Sequence, residues 1–486
     1  MQMVKRIFKY LGIGILLLLT VMLVNTLLQS KPEFDKTTVN TQDLLKDGFL
    51  RYSESIRFRV IGHDDAVTNI EQNKSELQRF HAWMRKSYPI LAKTARWETI
   101  NGGSLLITIK GKNTGPAAMF LGHLDVVPAD DSTLWKYPPF DGEIIGDTLW
   151  GRGTLDDKNA VIALLEAAER MLAKGQQPKN SIILAFGQDE ETGGAEGAAH
   201  IQKHLLNNKI PISFIADEGF GVMKGIVPGL ANDCAIIGLA EKGNLTLKLS
   251  VEIPGGHSAW PHPENTTSVL ANALSKIENY QFPAKLEGPV KGLFAESAPY
   301  MNFGYKFLFS NLTITAPLVK NVLTNGVKTA ATIRTTHVTT VIQAGSKENV
   351  VPPAAQALIN FRTVPNHSSE EIIEQIKSLV NDDRIKISIF QDAIESSPIS
   401  PSEGIGINEI KKAIHATFPE TVAVPGLVIT GTDCKNYTKL TPRIYRFVPY
   451  TFSNHNLSGI HGRNEYVTIQ QFTAAVGYYQ YLFGLL

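Results

Sequence analysis

One histidine and seven carboxylates stand in four short clusters: His123/Asp125, Asp156/Asp157, Glu190/Glu191 and Asp217/Glu218. Each follows an apolar run or its loop. Met119-Phe120-Leu121-Gly122 leads to the first, and Ile182-Ile183-Leu184-Ala185-Phe186 to the third. The second closes a glycine-bearing turn, Trp150-Gly151-Arg152-Gly153-Thr154-Leu155, just before a helical pattern over 159–174. Singly, each has an ordinary reading: a capping pair, an acidic helix start, a solvated charge pair. Together they read differently. Parallel strands deliver their carboxyl ends to one edge of a sheet, so the four clusters should converge there. So many like charges can be gathered only where divalent cations neutralise them. With imidazole and carboxylate as the donors, zinc is the first choice, and cobalt or manganese could substitute.

The elements that position these residues follow from hydrophobic patterning. Apolar strands at 117–121, 181–186 and 212–216 alternate with amphipathic helices at 159–174 and 195–206. This predicts an α/β fold, a mixed, mainly parallel sheet with helices on both faces. The pattern changes at Asn244. Leu245, Leu247, Leu249, Val251 and Ile253 alternate with polar residues, as in a half-buried antiparallel strand. A helix at 267–280 and strands at 332–341 and 355–361 predict a small inserted α+β domain. The stretch 288–325 is mixed, and the aromatic residues within 288–309 could line a pocket or serve as core. The α/β rhythm is expected to resume after Arg362, where Ser368 and Glu371 form a capping box. Four segments result: 1–30, an N-terminal anchor or signal segment; 31–243, the first part of the catalytic domain, beginning with a polar stalk over 31–46; 244–356, the insertion; and 357–486, the second part.

Composition narrows the classes. Lys plus Arg (47) balance Asp plus Glu (46) over 486 residues, and there is no basic run, so nucleic acid is not an expected partner. Cys234 and Cys434 form no CxxC, which excludes a multi-thiolate zinc site; they are either paired or free. Residues 11–28 are an apolar run behind Lys5, Arg6 and Lys9, long enough to cross a bilayer with the N-terminus inside. A cleaved signal peptide is the alternative. Either way the catalytic part is expected to be non-cytosolic, anchored by one helix or secreted.

Gly122-His123-Leu124-Asp125-Val126-Val127-Pro128, the Gly-Arg-Gly-Thr-Leu-Asp-Asp-Lys loop, Asp-Glu-Glu-Thr-Gly-Gly, Asp217-Glu218-Gly219 and the segment around His461 resemble the aminoacylase/carboxypeptidase family of dizinc exopeptidases. Within it the chain is most similar to the carboxypeptidase S-like branch, which includes N-fatty-acyl-amino-acid hydrolases/synthases. The resemblance implies two Zn2+ per subunit bridged by Asp156. It makes His123 a ligand of one and Glu191 of the other, with His461 as a distant final ligand and either Glu218 or Asp217 at the remaining strand. It further implies Asp125 as the carboxylate orienting His123, Glu190 as general base on the attacking water, and a cis peptide at Asp156-Asp157. Asn349 and Arg362 match residues gripping the substrate carboxylate. His257 matches a histidine of the lid or dimerisation insert that reaches a neighbouring subunit's site and polarises the scissile carbonyl, which implies a homodimer.

The expected activity is therefore metallocarboxypeptidase hydrolysis of the C-terminal amide bond of a small peptide or N-acyl amino acid. A deacylase or reversible synthase of N-acyl amino acids is the alternative, and a catalytically dead binding protein on the same fold is the reading from another class. The chain retains every ligand position and the base.

Overall fold

The computed structural model describes residues 2–31, 37–62, 66–225, 227, 229–453 and 455–486. In chain order, α1 is Gln2–Leu28, β1 Arg96–Ile100, β2 Ser104–Ile109, β3 Ala117–His123, α2 Lys158–Ala173, β4 Ile182–Gly187, α3 Ala198–Asn207, β5 Ile212–Met223 and β6 Cys234–Glu241. Next come β7 (Gly243–Glu252), α4 (Thr266–Glu278), α5 (Gly288–Ser297), α6 (Phe303–Ser310), α7 (Leu312–Thr324), α8 (Val327–Ile333), β8 (Thr336–Ala344), β9 (Ala354–Thr363), α9 (Ser369–Val380) and β10 (Lys386–Ile389). The chain closes with α10 (Ile407–Thr417), β11 (Val422–Val428), β12 (Ile444–Phe452) and α11 (Ile469–Leu485).

The main sheet has eight strands in the order β1-β2-β4-β3-β5-β12-β6-β11. β4, β3, β5 and β12 run parallel, as do β6 and β11. Side-chain alternation along the strands feeds two cores. Phe120, Ile182, Leu184 and Phe186 face a core shared with α2 and α11, while Met119, Leu121, Ile183 and Ala185 face one shared with α3. Continuous apolar runs are what a strand buried on both faces requires. Helix α2 packs against β3, against α11 and against the helical segments 46–56 and 89–94, which is why its Ala- and Leu-rich sequence is buried almost all round.

The second sheet has four antiparallel strands, β8-β9-β7-β10. Leu245, Leu247, Leu249 and Val251 of β7 and Ala357, Ile359 and Phe361 of β9 point to one face, covered by α4 and α9. The boundary expected at residue 356 is corrected here. It falls inside β9, which pairs with β7 from Ala354 to Thr363, and β10 pairs with β7 as well. Helix α9, opened by the Ser368/Glu371 capping box, and β10 therefore belong to the small layer. Short apolar runs read alike in either sheet, so only pairing separates them.

The stretch 288–325 is helical, α5 to α7, and residues 332–333 end α8 rather than begin β8. Part of the polar stalk expected over 31–46 lies outside the described residues. The remainder is not free: Val39 N–H donates to the Ala416 carbonyl (2.7 Å) and Leu45 N–H to Thr473 Oγ1 (3.2 Å). Cys234 and Cys434 are both buried and unpaired.

Candidate metal centre

β3 ends in His123, and the chain leaves β4 into a short turn, Glu190–Thr192. Because β3 and β4 are parallel and paired to their last residues, His123 sits beside Gly187 and the turn lies just beyond it. Asp217 and Glu218 differ from expectation: they fall in the middle of β5, not at its end. The register with β12 steps from Arg446↔Asp217 directly to Phe447↔Phe220, leaving Glu218 and Gly219 as a two-residue bulge. Gly219 takes φ 141°, and a Cβ there would lie 2.8 Å from Arg446 Cβ. A bulge re-aims a side chain, and this one turns Glu218 toward His123.

Asp156 stands at the centre. Its Oδ1 is 3.0 Å from His123 Nε2, and its Oδ2 is 3.0 Å from His461 Nε2. Glu218 Oε1 is 3.6 Å from His123 Nε2, and Glu191 Oε2 is 3.2 Å from His461 Nε2. Two three-residue groups result, His123/Asp156/Glu218 and Asp156/Glu191/His461, each with its donor atoms within 4.8 Å of one another. Asp217 lies outside both. It faces Thr432 and Cys434 in a buried acidic patch with Glu241. Of the two acids the sequence left open, geometry brings Glu218 into the cluster.

Asp125 contacts more than the imidazole of His123. His123 Nδ1 is 2.9 Å from the Asp125 main-chain carbonyl and 3.4 Å from its carboxylate. The carboxylate oxygens accept the N–H groups of Glu190 and Glu191, each at 3.1 Å, so Asp125 pins the turn that carries both glutamates. The Asp156-Asp157 peptide is cis, and the buried Asp157 accepts the His123 N–H through Oδ2 (3.2 Å).

Two residues without an assigned role in the sequence hold the central loop. Glu465 accepts the N–H of Gly153 (3.0 Å), Leu155 and Asp156 (3.2 Å), and pairs with Arg152 Nη1 at 2.8 Å. Burial pushes the Glu465 carboxyl up to about 7, against the opposing Arg152 charge. The Gly-Arg-Gly loop and the His461 segment were both visible as motifs; that they clasp each other was not.

The carboxylates crowd one another. Burial and the neighbouring carboxylates push Glu218 and Glu190 well above the usual range. Hydrogen bonds to Asp156 and Glu191 hold His461 up to about 10. For His123, burial opposes the charge, yet Asp125 and Asp156 hold the imidazolium well above its ordinary value. Protons on the two imidazoles thus take up charge that the carboxylates require. Among the described residues, Glu191 Oε1 is buried with no hydrogen-bond partner. Imidazole and carboxylate donors at these positions could hold divalent metal. His461 is 55% exposed against 2% for His123, so the cluster opens to solvent on the His461 side.

The three substrate candidates lie in the small layer. His257 pairs with Val350 in a two-residue ribbon, and Ser258 N–H donates to the Asn349 carbonyl (3.2 Å), so His257 and Asn349 are neighbours. Arg362 lies at the far end of β9 from that ribbon, paired with Asn244 and Thr336. Eight residues of strand separate Ala354 from Arg362, about 26 Å at ~3.3 Å per residue. One chain does not bring Asn349 and Arg362 together.

The peptidase family M20/M25/M40 model matches residues 119–484. The chain belongs to this family. It is 37% identical to the probable carboxypeptidase S-like 2 of Dictyostelium discoideum, over 99% of this chain and 94% of that protein. It is 35% identical to the zebrafish (Danio rerio) N-fatty-acyl-amino acid synthase/hydrolase PM20D1.1, over 84% of this chain and 80% of that one. Among solved structures, an M20 family metallo-carboxypeptidase from Sulfolobus solfataricus superposes with a TM-score of 0.64 at 19% identity, covering 90% of this chain and 98% of the other. Human carnosine dipeptidase 1 gives 0.60 at 16%, covering 90% and 95%. The family member described here is an enzyme of the metallopeptidase/amidohydrolase class, on the α/β fold with an added small sheet.

Proposed function

We propose that the chain is a dizinc exopeptidase that releases the C-terminal residue of a small peptide or N-acyl amino acid. One observation carries the reading: the two oxygens of Asp156 are divided between two histidine–carboxylate groups. In this reading His123 and Glu218 would hold one zinc and His461 and Glu191 the other, with Asp156 contributing to both; cobalt or manganese could replace zinc. When bound, such a pair supplies Lewis acidity to an amide carbonyl and to a water. Glu190 takes the proton from the attacking water and delivers it to the leaving nitrogen. One feature supports that role: its carboxyl lies close enough to His123, Asp156 and Glu191 to feel their charges, yet it belongs to neither three-residue group.

Arg362 would grip the free carboxylate, a task its planar fork suits. Asn349 and His257 would reach the same substrate from a second copy, since their ribbon lies at the other end of β9. That separation supports a homodimer through the small layer. The deacylase or reversible synthase reading has the same chemistry with a lipid acyl group, and the similarity to N-fatty-acyl-amino acid synthase/hydrolases supports it. Helix α1, long and apolar enough to cross a membrane, would anchor the enzyme with its catalytic part outside the cytosol.

A panel of dipeptides, acetyl-amino acids and long-acyl-amino acids, each run across a zinc titration, tests the reading. Turnover confined to substrates with a free C-terminal carboxylate is expected. Equal turnover of amide-capped substrates would overturn it.

A further inference from the structure

Helices α6 and α7 carry apolar residues that no other described residue covers. On α7, Leu312, Thr315 and Val319 face inward, while Ile314, Leu318 and Val322 recur every fourth residue on the outer face, the last two 54% and 63% exposed. Phe303 at the start of α6 and Val327 at the start of α8 are exposed as well. Between Ser297 and Ile333 the sequence has three lysines and no aspartate or glutamate. A merely solvated face would not be so apolar or so free of acids.

The same helices grip α1. Asn311 Nδ2 donates to the Met22 carbonyl (3.2 Å) and to Thr26 Oγ1 (3.1 Å), and Lys306 Nζ donates to the Gln29 carbonyl (2.9 Å). Met22 and Thr26 are buried by this contact, whereas the rest of α1 is almost wholly exposed. Depth then follows from length. Lys9 is the last charged residue before the apolar run, and about 20 residues at ~1.5 Å each cross a hydrocarbon core of about 30 Å, which brings the exit near Gln29. Met22 then lies about 10 Å inside that exit. Whatever is hydrogen-bonded to Met22 and Thr26 lies at least partly within the outer leaflet. Pairing Asn311 with Thr26 is also what two polar side chains at that depth require.

From this we infer that α6 and α7 form a bilayer-embedded platform beside α1, with Ile314, Leu318 and Val322 in contact with lipid acyl chains and the lysines at the headgroups. The proposal rests on the anchor reading of α1. It gives the 288–325 segment a task apart from the catalytic core: the enzyme is seated against the membrane instead of swinging on a tether.

Lipid-quenching fluorescence on the full chain tests it. Cys234 and Cys434 are buried, so single cysteines introduced as Leu318→Cys and Val322→Cys can be labelled selectively with an environment-sensitive fluorophore. Leu17→Cys on α1 reports the anchor, and Lys203→Cys on α3 reports a solvent position. The protein is reconstituted in phosphatidylcholine/phosphatidylserine vesicles with spin-labelled acyl chains. Loss of most emission at positions 17, 318 and 322, with none at 203, is expected. Quenching at 17 alone would overturn the platform and leave the anchor standing. A blue shift at 318 and 322 that grows with protein density, without lipid quenching, would put a second copy there and overturn it equally. No quenching at 17 would remove the anchor reading, and the platform with it.

Discussion

Arg152 donates to Glu465 at 2.8 Å between side chains that are both buried, tying the loop before Asp156 to a segment from the other end of the chain. Glu465 also accepts the loop's N–H groups, so its loss leaves a buried guanidinium and several amides unsatisfied. Glu465→Ala should therefore cost roughly 3–5 kcal/mol of stability and weaken metal binding, because Asp156 lies in the released loop. Urea unfolding and metal analysis check both. Stability lost with undiminished metal affinity would mean that the clasp does not position Asp156.

The adjacent glutamates should separate cleanly. Glu190→Gln should lower kcat by at least about 100-fold with bound metal unchanged, since Glu190 belongs to neither three-residue group. Glu191→Gln should lose metal as well. Equal metal loss in the two variants, measured by metal analysis, would show that the two roles are not divided this way.

Metal uptake should release protons. Without metal, His461 is held up to about 10 and is therefore protonated at pH 7.5, and Asp125 and Asp156 favour the charged form of His123 as well. Ligation needs neutral imidazoles, and at least about one proton should leave on loading the chelator-stripped protein. Calorimetry in two buffers of different ionisation heat measures the number. No release would mean that the imidazoles are neutral in the apo protein.

Arg362→Ala should raise KM, and its effect should be non-additive with capping the substrate carboxylate. A coupling of roughly 2–4 kcal/mol is expected from the cycle of two enzymes and two substrates. Independent losses would show that Arg362 binds something else.

His81 should make stability fall in mild acid. Burial, then the Arg85 charge, pushes its imidazole down to about 4. An unfolded histidine titrates near 6.5, so between about 6.5 and 4 the unfolded chain binds the extra proton. The stabilisation is complete above that window and is lost as pH falls through it, by up to roughly 3 kcal/mol. The wild type should lose more stability than His81→Phe between pH 7.5 and 4.5 in urea melts. Identical losses would place the acid sensitivity elsewhere.

The sequence alone determined the α/β class, the four acidic clusters and the family, because these rest on local pattern: apolar runs, a glycine turn, neighbouring carboxylates. It carried His123, Asp156, Glu191 and His461 as motifs. What it left open depended on pairing between distant segments. Asp217 and Glu218 are adjacent and equally acidic; a two-residue bulge in β5 selects Glu218 by turning it toward His123. The small layer runs past 356 because β9 and β10 both pair with β7, a matter of which edge a strand finds. Glu465 looked like any charged loop residue until the fold closed the carboxyl-terminal segment over the Gly-Arg-Gly turn. Periodicity reports which face of an element is apolar, but it does not report what that face or side chain will meet.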